Sequence, residues 1–270
     1  MARKQRIIDN TNWITNFFVV DEYLYLTDAK MGENECNLYR IKMDVFVENL
    51  KNKSDINRAF LANPLTEKSN SALLSSQSEV EFLYKEDNYI QNYFKFQNQL
   101  YISYLIDNKV FTKRVGDSQY KELQILVGDE DMDYLIGISD SFLVQIDKDL
   151  NITKNTQIHA STCVIFKDKL AVLNYENKIT LLNDRFELLK NIDSSSDFKS
   201  IFFLNANNLL VSNKDKNFTY AVNINDEVKI DFIKDYIFRA KLINQDTLIV
   251  KTLFNIDKKP TINGPIKIII

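Results

Sequence analysis

A short apolar run, a turn built from Asp or Asn, and a second apolar run led by leucine recur along the chain. The unit is plain in Phe17-Phe18-Val19-Val20 followed by Asp21-Glu22-Tyr23-Leu24-Tyr25-Leu26. It returns in Tyr93-Phe94-Lys95-Phe96 followed by Asn98-Gln99-Leu100-Tyr101-Ile102. Later copies centre on Asp133-Tyr134-Leu135-Ile136, Asp168-Lys169-Leu170-Ala171-Val172, Asn207-Asn208-Leu209-Leu210-Val211 and Asp246-Thr247-Leu248-Ile249-Val250. With the leucines as markers, the steps 100, 135, 170, 209 and 248 are 35, 35, 39 and 39 residues, and the step from 24 to 100 is 76, or two periods. A degenerate copy is therefore expected near residue 62, where Phe60-Leu61-Ala62 stands.

Each period has room for four short strands. A third follows the leucine run, as in Asn37-Leu38-Tyr39-Arg40-Ile41, Phe142-Leu143-Val144-Gln145-Ile146 or Lys178-Ile179-Thr180-Leu181-Leu182, and a fourth is clearest in Val228-Lys229-Ile230-Asp231-Phe232. The first two strands read as apolar on both faces, the outer two as apolar alternating with charged, as for strands buried and half-exposed respectively. Four strands repeated in this way predict an all-β protein, a β-propeller of seven blades with about four antiparallel strands each, forming one domain over residues 1–270. The weak stretch is 45–90. There Pro64-Leu65-Thr66 and the Ser/Asn/Gln-rich run to Ser78 read as a loop, while Ala72 to Tyr84 reads equally as a helix, which would give six blades and an insertion. The apolar C-terminal run Pro265-Ile266-Lys267-Ile268-Ile269-Ile270 is expected to pair within the last blade, with Arg6-Ile7-Ile8 adding its outermost strand.

On this period and strand pattern, carried by residues such as Asp168-Lys169-Leu170-Ala171-Val172, the chain resembles the WD40-like and quinoprotein-like propeller superfamily over nearly its whole length. The resemblance is one of fold. The Gly-His and Trp-Asp dipeptides of WD40 repeats and the double glycine of kelch repeats are absent, Trp13 being the only tryptophan.

Composition then narrows the chemistry. The 270 residues carry a net charge of −3 with basic residues dispersed, which does not fit an electrostatic nucleic-acid binder. No run of apolar residues is long enough to span a membrane. Two cysteines, Cys36 and Cys163, are too few for a disulfide framework, so a reducing, cytoplasmic setting is expected. His159 is the only imidazole, so no multi-histidine metal site can form, and five scattered glycines make neither GxGxxG nor a Walker loop. No cofactor is expected.

The remaining chemical candidates are thin. His159 beside Cys163 is a conceivable base and nucleophile, but no nucleophile elbow or family signature surrounds the pair, and a loop or strand histidine is the plainer reading. Asp129, Asp131 and Asp133 have the alternate spacing that opens a calcium loop but lack its glycine and distal glutamate, so a solvated turn is preferred. Carboxylates for glycoside hydrolysis carry no mark, and most aromatic residues fall at core positions. The reading is accordingly a non-catalytic protein-interaction module, a scaffold or adaptor. The alternatives are an inhibitor or immunity-type protein that blocks a toxin or enzyme, and, less favoured, a carbohydrate-binding or glycoside-processing propeller. The resemblance places the docking face on loops joining second to third strands and one blade to the next. Those loops hold Lys30, Glu33, Glu35, Glu86, Asp87, Asp140, Tyr175, Glu176, Asp197, Lys214 and Asp215. They lean acidic, which fits a protein partner with a basic surface.

Overall fold

The computed structural model describes residues 13–29, 35–51, 81–127, 132–192, 197–244, 247–252, 254–256, 259–261 and 266–269. The elements in chain order are β1 (Trp13–Val20), β2 (Tyr23–Ala29), β3 (Cys36–Lys42), α1 (Met43–Lys51), β4 (Glu81–Glu86), β5 (Tyr89–Phe96), β6 (Gln99–Ile106), β7 (Lys109–Arg114), β8 (Lys121–Glu122), β9 (Gln124–Val127), β10 (Leu135–Ser139), β11 (Phe142–Ile146), β12 (Ile152–His159) and β13 (Thr162–Phe166). They continue as β14 (Lys169–Leu173), β15 (Ile179–Asn183), β16 (Leu188–Ile192), β17 (Phe198–Asn205), β18 (Asn208–Asn213), β19 (Phe218–Asn223), β20 (Lys229–Ile233), β21 (Ile237–Asn244), β22 (Thr247–Thr252), β23 (Phe254–Ile256), β24 (Lys259–Thr261) and β25 (Ile266–Ile269).

Strands next to each other in sequence pair into meanders. Among the described residues there are five four-stranded sheets (β1–β4, β5–β8, β9–β12, β13–β16 and β17–β20), a three-stranded sheet β21-β22-β25, and the small hairpin β23-β24. The leucine markers 24, 100, 135, 170, 209 and 248 each fall in the second strand of their own sheet. These second strands are the most continuously covered, with Leu135 to Ile138, Leu170 to Leu173, Leu209 to Asn213 and Leu248 to Thr252 all buried. The first strands were expected to match them. β1 does match them from Thr15 to Phe18, whereas β5 and β13 mix buried and half-buried positions, as a strand at the edge of its sheet can.

Seven four-stranded blades are not found among the described residues. The two-period step from Leu24 to Leu100 is occupied differently from the repeat: β3 is followed by α1, and the fourth strand of the first sheet is β4, in which Glu81 pairs with Arg40 and Glu86 with Cys36. One sheet therefore draws on residues 13–86, and the last four residues of the alternative helix at Ala72 to Tyr84, 81–84, are strand. Phe60-Leu61-Ala62 and Arg6-Ile7-Ile8 lie outside the described residues. The C-terminal run does pair as expected, β25 running antiparallel to β22 with Ile268 opposite Ile249.

The chain divides into two compact units, one of Met1–Phe94, Tyr104–Lys109 and Phe238–Ile270, the other of Lys95–Ser103 and Val110–Ile237, so the residues of β5–β8 fall in both. In the first unit, Met43 and Phe46 of α1 share a core with Phe17, Leu24, Leu26, Ile41 and Ile249. In the second, the first strand β13 packs beside its counterparts β9 and β17. Its core includes Ile136, Leu143, Leu170 and Val172, and a further cluster is formed by Leu181, Ile201, Leu209 and Val211.

The turns explain how so few glycines suffice. Gln97-Asn98, Asp107-Asn108 and Asp140-Ser141 each place two successive residues at φ between 46° and 69°, the geometry of tight hairpin turns whose twist matches the strands. A second turn type occurs three times among the described residues, starting at Asp147, Asn174 and Asn183. In each, the side-chain Oδ1 of the first residue accepts the backbone N–H groups two and four residues on, at 2.8–3.0 Å. The fourth residue (Leu150, Asn177 or Phe186) takes φ of 61–64°. The side-chain acceptor supplies the ordering that glycine would otherwise have left to the backbone. Asn183→Ala should lower stability by about 1 kcal/mol, since two N–H groups lose their acceptor; an unmoved urea midpoint would show the side chain to be dispensable.

Buried hydroxyls add a recurrent tie within the second unit. Ser103 Oγ lies 2.7 Å from Thr112 Oγ1, which donates to the Leu123 carbonyl. Ser212 and Thr219 repeat the arrangement at 2.7 Å, with Thr219 donating to the Asp235 carbonyl. Each pair thus fixes the second and third strands to the connection that leaves the sheet, with its polar atoms satisfied.

Candidate interaction surface

Of the residues expected on a docking face, Asp140, Tyr175 with Glu176, and Lys214 with Asp215 lie between second and third strands of their sheets, Asp87 and Asp197 lie between one sheet and the next, and Glu86 is the last residue of β4, paired with Cys36. Lys30 and Glu33 lie outside the described residues. Within the first unit, Glu35 is exposed and ion-paired with Lys85, and Glu86 accepts a 2.7 Å hydrogen bond from the Tyr104 hydroxyl. Within the second unit, Asp197 is ion-paired with Lys199 at 2.7 Å, and this contact above all holds its carboxyl below the usual range. Glu176 is paired with Lys178 at 3.0 Å. The acidic surplus counted in the sequence is therefore partly neutralised where it stands.

The structure adds to these residues a groove of about 680 Å³, lined by Ile158 and His159 of β12, Asn174, Tyr175 and Glu176 of the loop after β14, Thr180 and Leu182 of β15, Phe186, and Leu188 and Asn191 of β16. Because Tyr175 and Phe186 sit in the turns at opposite ends of β15, the groove runs the length of that strand. Its walls are held locally. The Asn174 side chain orders the turn that presents Tyr175, whose side chain is 62% exposed. At the other end Phe186 packs against Tyr134 with centroids 6.0 Å apart and beneath the Lys154 ammonium at 5.5 Å, while Lys154 also reaches the Arg185 carbonyl at 3.4 Å. Leu188 is 61% exposed. An outer strand that leaves two successive leucines, Leu188 and Leu189, in solvent departs from the alternation expected of it.

His159 belongs to this groove and not to a catalytic pair. Its ring stacks on Phe142 with centroids 4.3 Å apart and an interplanar angle of 35°, and the two residues are cross-strand partners. Cys163 is buried with Ile136, Leu170 and Val172, and burial pushes its thiol far above the usual range, so it stays protonated and is a poor nucleophile. Of the calcium candidates only Asp133 is described, as an exposed turn residue; Asp129 and Asp131 lie outside the described residues. No group of three metal-ligating side chains occurs among the described residues. Sequence reading named Tyr175 and Glu176 but not Phe186, Leu188 or the groove.

No family model matches the sequence, and no curated protein does. Solved structures do. Hsv2 of Kluyveromyces lactis with its loop 6CD replaced by a Gly-Ser linker aligns over 89% of this chain and 75% of its own, at 9% identity and a TM-score of 0.50. A protein of unknown function from Bacteroides caccae aligns over 85% and 82%, at 10% identity and a TM-score of 0.50. The WD40 β-propeller domain of Doa1 aligns over 96% and 86%, at 8% identity and a TM-score of 0.48. In fold, the chain is an all-β propeller of small antiparallel four-stranded sheets. At such identities the likeness extends to the fold alone.

Proposed function

We propose that the protein is a non-catalytic interaction module, and that the groove along β15 together with the rim loops beside it is where a protein partner docks. The three-stranded sheet is read here as a sixth blade. The observation that carries the proposal is the exposure of Tyr175 and Leu188 on an ordered groove with polar Asn174, Glu176 and Asn191 at its walls. Rigid aromatic side chains beside apolar pockets are the usual anchors of protein interfaces, whereas ion-paired rim carboxylates chiefly steer the encounter. The partner that fits brings an apolar side chain to the groove and a basic group towards Glu176 and Asp140. Cys36 and Cys163, both buried and not joined in a disulfide, suit a reducing, cytoplasmic setting. An inhibitor of an enzyme would use the same surface, and the identity of the captured partner separates the two roles.

The test is capture from native lysate by the tagged wild-type chain, followed by quantitative binding of the identified protein. Tyr175→Ala combined with Glu176→Lys should weaken binding at least tenfold with an unchanged melting temperature, since both side chains are exposed. Undiminished binding by this variant would remove the groove from the interface.

A further inference from the structure

The groove along β15 is bordered by two strands, β12 and β16, that each end a four-stranded sheet, and among the described residues neither has a strand on its far side. An outermost strand presents a row of unpaired N–H and C=O groups, and proteins commonly guard such an edge with charge. The outermost strands β4, β8 and β20 each carry at least two charged residues. β16, Leu188-Leu189-Lys190-Asn191-Ile192, carries one, and that one is turned away. Lys190 Nζ donates to the carbonyls of Ile224 and Asn225 at 3.1 and 2.9 Å and pairs with Glu227 at 2.9 Å. The single lysine of β12, Lys154, is likewise held by the Arg185 carbonyl and the Phe186 ring.

The side chains of β16 fit the same picture. Leu188 stands opposite Leu182 and Asn191 opposite Thr180, and all four line the groove. Leu181 pairs with Lys190 and Leu182 with Leu188, so Leu189 is the extra residue of a bulge and is 53% exposed. An arriving strand therefore meets regular backbone from Lys190 to Ile192 and an apolar knob at Leu189.

We infer that the partner docks as an extended segment that adds a fifth strand to β16 and lays alternate, apolar side chains into the groove beside Leu188 and Tyr175. The inference rests on the groove reading above and adds the backbone of β16 as a recognised element. A second copy of this chain is a poorer occupant. β16 has five residues, a length of about 17 Å, and a rigid body meeting it edge to edge falls short of the roughly 1,000 Å² that a stable interface needs. One extended chain reaches both the edge and the groove of about 680 Å³. With Lys190 held by Glu227, the edge offers no free charge to pair, so the paired stretch of the segment is neutral and its basic group lies beyond it.

The probe is a peptide selected against the full chain from a random, unstructured peptide library, then remade with alternate backbone amides N-methylated. The unmodified peptide should show apolar residues at alternate positions and slow amide hydrogen exchange from Lys190 to Ile192. Leu189→Lys, at an exposed side chain, should leave the melting temperature unchanged and weaken peptide binding at least tenfold. N-methylation on the pairing side should cost as much while sparing every side chain. Tyr175→Ala with Glu176→Lys separates the two readings. If that variant loses the peptide while Leu189→Lys and the N-methylated peptide bind undiminished, strand addition is overturned and the groove stands. If both variants bind the peptide fully, both readings fall. A library that yields no binder also overturns strand addition, and leaves the groove to a folded partner surface.

Discussion

Replacing Lys251 with methionine should stabilise the protein at pH 7, and the advantage should fade as the pH rises to 10. In the folded state burial, reinforced by the Arg239 charge, pushes the Lys251 amine from its ordinary 10.5 to about 7. Between these two values the unfolded chain holds a proton that the folded chain has released, so wild-type stability climbs with pH across that window. Below about 7 both states are protonated and the full cost of burying the cation is felt. Methionine of similar length removes that cost, by about 1–4 kcal/mol at neutral pH, which in a chain of this size is a rise of several degrees in melting temperature. Melting both proteins from pH 6 to 10 gives two curves that converge at the alkaline end. Parallel curves, or a less stable methionine variant at pH 7, would mean that the Lys251 amine keeps its proton when the chain folds.

Gly137→Ala should act in the opposite direction at every pH. Gly137 lies in β10, opposite Val144 of β11 on one side and Ile125 of β9 on the other. A methyl group there would stand 2.6 Å from the Gln124 carbonyl oxygen and 2.5 Å from Ile146 Cδ1. The isoleucine end can turn away, although it is itself completely buried. The carbonyl is backbone, so β9 must move bodily, and β9 packs beside β13. Overpacking of this kind costs about 1–3 kcal/mol. A second change, Ile146→Val, should recover only part of that loss, because it leaves the carbonyl contact in place. Full recovery in the double variant would assign the strain to the side chain alone.

Why a glycine was needed at that position was not readable from the chain, because the close approach comes from β9 across a register shift between Ile136 and Gly137. Other features were readable. The leucine near the head of each second strand is buried in every sheet but that of β6, where Leu100 is half-buried, and the Asp and Asn residues before it can take positive φ, so these positions gave both the register and the turns. Counting failed where spacing alone cannot tell an inserted segment from a worn repeat, as between Leu38 and Tyr84, which are cross-strand partners. The groove was half legible: Tyr175 stood out in a turn, but the exposure of Leu188 depends on how β16 ends its sheet. Lys251 could have been found. A strand covered on both faces has no outward side, so a lysine within the Leu248 to Thr252 run had nowhere to go but the interior.

The sheet that draws on residues 13–86 has a bearing on how the chain assembles. In the three sheets from β9 to β20, the third and fourth strands are joined by short turns that can zip up as soon as the third strand exists. Here Arg40 must find Glu81, joined by a 2.7 Å ion pair, across a sequence separation of 41 residues. Closing so long a segment costs about 2 kcal/mol more entropy than closing a five-residue turn. That deficit is recovered only once the partner surface is in place, which ranks β4 as a late arrival and leaves the outer edge of β3 open to other strands until it docks.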